Sequence, residues 1–88
     1  MNNVRVQNMQ GRNGTVNNQF EIFTSEGVYF QSYSTIIAFK PYNGKIQLNK
    51  KYWDYSRTTG KYRNIFLRET KAETEKKIKN CEYEMVEF

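Results

Sequence analysis

Trp53-Asp54-Tyr55-Ser56-Arg57-Thr58-Thr59-Gly60-Lys61-Tyr62-Arg63-Asn64 is the stretch where the chain changes character. It holds the single tryptophan, two tyrosines and three cations. Upstream, apolar and polar residues alternate with the two-residue period of strands; downstream, the period lengthens toward that of helices. Ser56 suits an N-cap, its hydroxyl accepting from an early helical N–H. A helix over 57–68 follows. At 100° per residue, Thr58, Tyr62, Ile65 and Phe66 fall on one arc, the expected buried face. Arg57, Lys61, Asn64 and Arg68 fall on the adjacent, outward arc. Gly60 weakens this helix by about 1 kcal/mol relative to alanine, so packing of Tyr62 and Phe66 must hold it.

Working upstream, Lys45-Ile46-Gln47-Leu48 reads as a strand with Ile46 and Leu48 inward. Pro41-Tyr42-Asn43-Gly44 is a turn, and Asn-Gly is a strong hairpin signal. Ile36-Ile37-Ala38-Phe39 reads as a buried strand. Phe20-Glu21-Ile22-Phe23-Thr24 and Val28-Tyr29-Phe30-Gln31-Ser32-Tyr33 form a hairpin through Ser25-Glu26-Gly27. Phe20 and Ile22 share a face of the first strand, Val28 and Phe30 a face of the second; Tyr29 and Tyr33 point the other way. Gly11-Arg12-Asn13-Gly14 is a turn and Val4-Arg5-Val6-Gln7 a short edge strand. Downstream, Thr70 and Glu73 have capping-box spacing. The helix they open offers only Ala72 and Ile78 as an apolar face and pairs Glu73 with Lys77 and Glu75 with Lys79. Asn80 suits its left-handed end. Cys81-Glu82-Tyr83-Glu84-Met85 alternates as a last strand, with Cys81, Tyr83 and Met85 inward. The expected architecture is a single α+β domain over 1–88: strand-rich over 1–52, helical over 53–80, with a final strand over 81–88. A mainly antiparallel sheet of about five strands carries both helices on one face.

Composition narrows the function. A chain of 88 residues hides only about 60% or a little more of its unfolded surface, so the core is thin. An aromatic content of 16% compensates, because aromatics bury much area per residue. The sequence has no histidine and one cysteine, Cys81. That excludes an intrachain disulfide, the usual zinc site and histidine-activated nucleophiles. The expected protein is not an enzyme and carries no cofactor or metal, with Cys81 a small buried hydrophobe. Met1-Asn2-Asn3-Val4-Arg5 does not read as a secretory leader, and no apolar run approaches the roughly 20 residues of a membrane span. A cytoplasmic protein without a membrane partner is expected.

The net charge of +5 is uneven: residues 57–79 hold eight cations against three acids. Such a surplus attracts polyanions. The candidate site combines Trp53 and Tyr55 as planes with Arg57, Lys61, Arg63 and Arg68 as charge and Asn64 beside them. Planes beside cations suit a phosphate-bearing ligand, nucleic acid or nucleotide, since stacking contributes roughly 1–3 kcal/mol per base and cations neutralise phosphates. The plainer alternative makes Trp53 and Tyr62 core and the cations a solvated helix face. Lys76, Lys77 and Lys79 read as such a face. Exposed Tyr29, Tyr33, Tyr42 and Tyr52 would instead anchor a protein partner, as tyrosines do at hot spots. A sheet edge or Phe88 would serve a homodimer. The chain has no zinc-finger, P-loop or RNA-recognition aromatic motif.

Taken together, Gly27-Val28-Tyr29-Phe30-Gln31-Ser32-Tyr33 with Ile36-Ile37, then Trp53-Asp54-Tyr55-Ser56-Arg57-Thr58-Thr59, then Phe66-Leu67, Glu69-Thr70 to Lys79 and Glu82-Tyr83 resemble a family of small uncharacterised proteins encoded by bacteriophages. The likeness covers about two-thirds of the chain. Cys81 departs from it, a small residue such as glycine being expected after the second helix. The resemblance implies a phage or prophage origin and assigns no residue a role. Small phage proteins without catalytic residues commonly act on the host by binding. The expectation is therefore an accessory protein in the host cytoplasm that antagonises host defence through a phosphate-bearing ligand, or a protein–protein inhibitor that binds a host immune complex directly.

Overall fold

The computed structural model describes residues 4–88. Residues 1–3, which belong to the stretch read as no leader, lie outside the described residues. The elements are β1 (Arg5–Gly11), β2 (Gly14–Phe23), β3 (Gly27–Ser32), β4 (Thr35–Pro41), β5 (Gln47–Asn49), α1 (Arg57–Leu67), α2 (Lys71–Lys79) and β6 (Glu84–Val86). The first five strands form an antiparallel meander, and β6 closes the sheet beside β5 in parallel. A parallel pair needs a long crossover, and the two helices supply it. The α+β class stands as expected, with six strands rather than about five. The Val4 stretch is no short fragment: its strand runs to Gly11 and pairs with a β2 of ten residues.

Register decides which side chains meet the helices. Glu21 pairs with Phe30, Phe30 with Ala38, Ala38 with Leu48 and Leu48 with Met85. This row crosses the sheet, and Phe30, Ala38 and Leu48 in it are fully buried. Tyr62, Phe66 and Leu67 of α1 complete the cluster, with Ile78 of α2 packed against it. Because Glu21 holds the place opposite Phe30, Phe20 and Ile22 lie on the outer face. There they sit beside Tyr29, whose ring stacks on Phe39 with centroids 4.2 Å apart. Phe88 meets Tyr29 edge-on. A bulge in β4 places Ile37 and Ala38, consecutive in sequence, in the same core. That is how an unbroken apolar run fits a sheet covered on one face. Gly27 is required sterically: a Cβ there would fall 2.7 Å from the Pro41 Cα.

The helices differ from expectation in phase. Ser56 caps α1 as read, its Oγ accepting from the Thr59 N–H at 3.1 Å. The buried arc, however, is Thr59, Tyr62, Arg63, Phe66 and Leu67, while Thr58 is exposed and Ile65 is 48% exposed. Periodicity ranks side chains by hydrophobicity, so it missed a threonine and an arginine that are buried because they are bonded. Arg68 is not helical; it ends α1 in the left-handed conformation at φ 58°. The Thr70–Glu73 capping box is present. Lys77 pairs with Glu69 at 2.9 Å rather than with Glu73, and no Glu75–Lys79 ion pair forms among the described residues. Thr74, not Ala72, is the buried residue of α2. Asn80 keeps a negative φ, and Cys81 takes the left-handed turn at φ 59°. This turn leaves Cys81 exposed, correcting its expected burial. Among the described residues no helix is long and apolar enough to cross a membrane.

Glu69 ties α2 and the approach to β6 to the end of α1. Its carboxylate is 3% exposed and accepts from Thr74 Oγ1 at 2.6 Å, Lys77 Nζ at 2.9 Å and the Tyr83 hydroxyl at 2.5 Å. Burial alone would raise its pKa, but the three donors outweigh it and hold the carboxyl below its ordinary value. A depressed carboxylate contributes stability at neutral pH that is lost as the pH falls through the folded-state pKa. Glu69→Gln is expected to cost about 2 kcal/mol at pH 7, since bonds to a charged group contribute roughly 1.5–3 kcal/mol. It should also flatten the loss of stability in acid. Urea unfolding followed by circular dichroism at neutral and acid pH checks both; an unchanged acid dependence would contradict this role.

Candidate functional site

The segment between β5 and α1 is built on Asn49. Its Oδ1 accepts from the Lys51 and Tyr52 N–H groups at 2.9 and 3.0 Å, and its Nδ2 donates to the Ile36 carbonyl at 2.8 Å. The Trp53 N–H donates to the Asn49 carbonyl at 3.0 Å. The chain thus turns at once, and Trp53 comes to lie over α1.

There it meets Arg63, which is 1% exposed. Its Nη1 donates to the Trp53 carbonyl and to Asp54 Oδ1, both at 2.9 Å, and its Nη2 donates to Asn64 Oδ1 at 2.9 Å. The guanidinium carbon lies 5.0 Å from the Trp53 ring centroid. Asp54 Oδ2 receives Lys71 Nζ at 2.7 Å. Burial would raise the Asp54 carboxyl, but the bonds from Lys71 and Arg63 hold it below its ordinary value. Asp54 in turn raises Lys71. Gly60 belongs to this arrangement: a Cβ there would stand 3.4 Å from Asp54 Oδ1 and 3.6 Å from the Arg63 guanidinium nitrogens.

The expected site residues therefore separate. Arg63 is an internal tie rather than a surface cation, and Trp53 has its ring beside that guanidinium. Arg68 leaves the outward stripe because the helix ends before it; it lies with Glu21, Lys40 and Phe66 at the other end of α1. Arg57, Lys61 and Asn64 do come together, with Lys71 of α2 and Asp54, around an open groove of about 790 Å³, and Arg63 also lines it although its two Nη groups are bonded internally. Lys71 was missed because helix periodicity cannot relate residues on two different helices. Tyr55 faces away from this groove, into a separate cleft of about 460 Å³ that Tyr33, Tyr52 and Thr59 also line.

The groove runs along α1 from its cap at Ser56 to Ile65 and so takes in the beginning of the helix. A helix N-terminus carries partial positive charge, and acids normally gather there. The first turn of α1 contains none and begins with Arg57. Among the described residues, neither Arg57 nor Lys61 has a carboxylate within ion-pair distance. The arrangement leaves an uncompensated positive surface beside a row of hydroxyls: Ser56 donates to Thr59 Oγ1 at 3.1 Å, and Ser32 shares a bond with the same atom at 3.0 Å.

The chain belongs to a family of unknown function (DUF8033), whose profile matches residues 4–82. No curated protein and no solved structure matches it.

Arg63→Ala tests the assignment of that residue to the scaffold. It removes three hydrogen bonds and the guanidinium that lies over the Trp53 ring. Asp54 keeps Lys71, so the expected loss is about 2–3 kcal/mol rather than that of an orphaned buried charge. A shifted Trp53 emission and a lowered unfolding midpoint are the readouts. A variant as stable as the parent would return Arg63 to the surface set.

Proposed function

We propose that this member of a family of unknown function is a non-enzymatic binding protein whose ligand carries phosphate, as nucleic acid or nucleotide, held in the groove beside the N-terminus of α1. One observation carries the reading: Arg57 and Lys61 stand free of carboxylates where the helix is already electropositive, with Lys71 across the groove. A helix start bare of acids and edged by cations is poor design for helix stability and good design for an anion. The resemblance to small phage proteins supplies the proposed biological setting, an accessory protein acting against host defence in the host cytoplasm.

The second reading, direct binding to a host defence protein, draws on the outer sheet face. Phe20, Ile22 and Tyr29 lie there without a helix over them, and Val6 beside them is exposed. The two readings separate by mutation, one depending on charge and the other on that apolar face.

Fluorescence anisotropy of a labelled single-stranded oligonucleotide, titrated at several salt concentrations and in competition with mononucleotides, tests the first. Neutralising about two phosphates with the unpaired Arg57 and Lys61 predicts a log–log salt slope of roughly −1.4, from about −0.7 per phosphate on a single strand, because Lys71 is already paired with Asp54. The double variant Arg57→Glu, Lys61→Glu should lose binding at every salt concentration and keep its fold. Absence of binding to both ligand classes at low salt would refute the reading.

A further inference from the structure

The cleft on the other side of the α1 N-terminus differs in chemistry from the groove. Tyr33, Tyr52 and Tyr55 line it together with Ile37 and the hydroxyls of Ser32 and Thr59, and no charged side chain among the described residues does so. At about 460 Å³ it falls in the range of small-molecule sites, roughly 300–1,000 Å³. We propose that this cleft receives the planar ring of one nucleobase, whose attached phosphate lies in the groove. The inference rests on the reading of the groove as a phosphate site and names the rest of the ligand.

Tyr33 is the main support. Ser32 pairs with Thr35 across the β3–β4 hairpin, so the loop is Tyr33-Ser34 alone. Tyr33 has φ 57° and Ser34 does not take a positive φ, so the first loop position holds the left-handed backbone that glycine adopts most freely. An aromatic residue there carries strain that glycine would avoid. The fold draws little compensating burial from this residue, which is 54% exposed. The local bonds are backbone ones that glycine would also make: the Tyr33 N–H donates to the Asn18 carbonyl at 2.6 Å, and its carbonyl accepts from Gln31 Nε2 at 2.7 Å. A strained, solvent-facing ring at a cleft is accounted for by what the cleft holds.

Tyr55, on the other chain segment, is exposed as well, without the backbone strain. It is 69% exposed and stands edge-on to Tyr52, with centroids 5.5 Å apart. Two rings thus stay in water on either side of one cavity, and stacking on a flat, sequence-tolerant π-face is what such rings do for bases. The cleft and the groove also share the first turns of α1. Thr59 lines one and Gly60 the other, and the Ser32–Thr59–Ser56 hydroxyl chain fixes the cleft wall to the helix cap.

The test compares a single-stranded oligonucleotide with an abasic strand of equal length, which has the same phosphates and no rings. The intact protein should bind the natural strand at least about fivefold tighter, the lower end of one stacked base. Tyr33→Gly should abolish that preference, leave abasic binding unchanged and leave the melting temperature equal or higher; Tyr55→Ala should also remove the preference. Equal affinity for the two strands in the parent protein overturns the cleft proposal while the phosphate reading stands. Base-dependent binding with no salt dependence sinks the phosphate reading and keeps the ring pocket. No binding to either strand overturns both. A mononucleotide that competes as well as the natural strand identifies a free nucleotide as the source of the ring; weaker competition identifies a strand, and either supports the pocket.

Discussion

Arg63 is the constraint on which the arrangement of this domain depends. A buried guanidinium demands acceptors, and Trp53, Asp54 and Asn64 supply them to its two Nη groups while Nε stays unpaired. Meeting that demand folds the segment after β5 down onto α1. It fixes the angle of Trp53 and brings Asp54 to where Lys71 of the second helix can reach it. The link between the two helices and the sheet is thus polar as much as apolar, which suits a chain whose core is thin. The bonded Arg63–Asp54 pair also specifies one rotation of α1, because any other phase would leave the charge unpaired.

That rotation has functional consequences. With Thr59 and Arg63 inward, Arg57 and Lys61 turn outward beside Lys71, and the first turns of the helix separate the groove from the tyrosine cleft. Glu69 performs the equivalent service at the other end. It gathers Thr74, Lys77 and Tyr83, so that α2 is held mainly by one buried carboxylate and only slightly by an apolar face. Two ionic hubs, one at each end of α1, hold the layer of helices against the apolar row through Phe30, Ala38 and Leu48.

Much of the fold was legible residue by residue. Asn43-Gly44, Gly27 and the two helix caps carry local conformational signals that need no knowledge of distant contacts, and each lies at a chain reversal or helix start. Less of the site was legible. Arg57, Lys61 and Asn64 meet as their helical spacing requires, since they share one element. That Arg63 is buried and bonded, and that Trp53 is half-buried against it, was not legible, because a basic residue beside an aromatic looks the same in sequence whether it is buried and bonded or free. Arg68 and Cys81 were misread because a left-handed φ at a residue other than glycine leaves no mark in composition. Phe20 and Ile22 face outward because strand pairing sets the register, and a shift of one residue reverses every side chain.

The sequence by itself determined the class of the protein. The α+β order of elements, the absence of histidine and the excess of cations around α1 follow from residue types and their spacing, which act locally. Only the tertiary structure decided which of those residues stand together. The groove needs Lys71 from a second helix, and the cleft needs Tyr33 from a distant hairpin beside Tyr52 and Tyr55. Neither meeting is encoded in any window of the chain. Each arises when Arg63, buried and in need of acceptors, pulls the segment from Trp53 to Ser56 against the helix it caps.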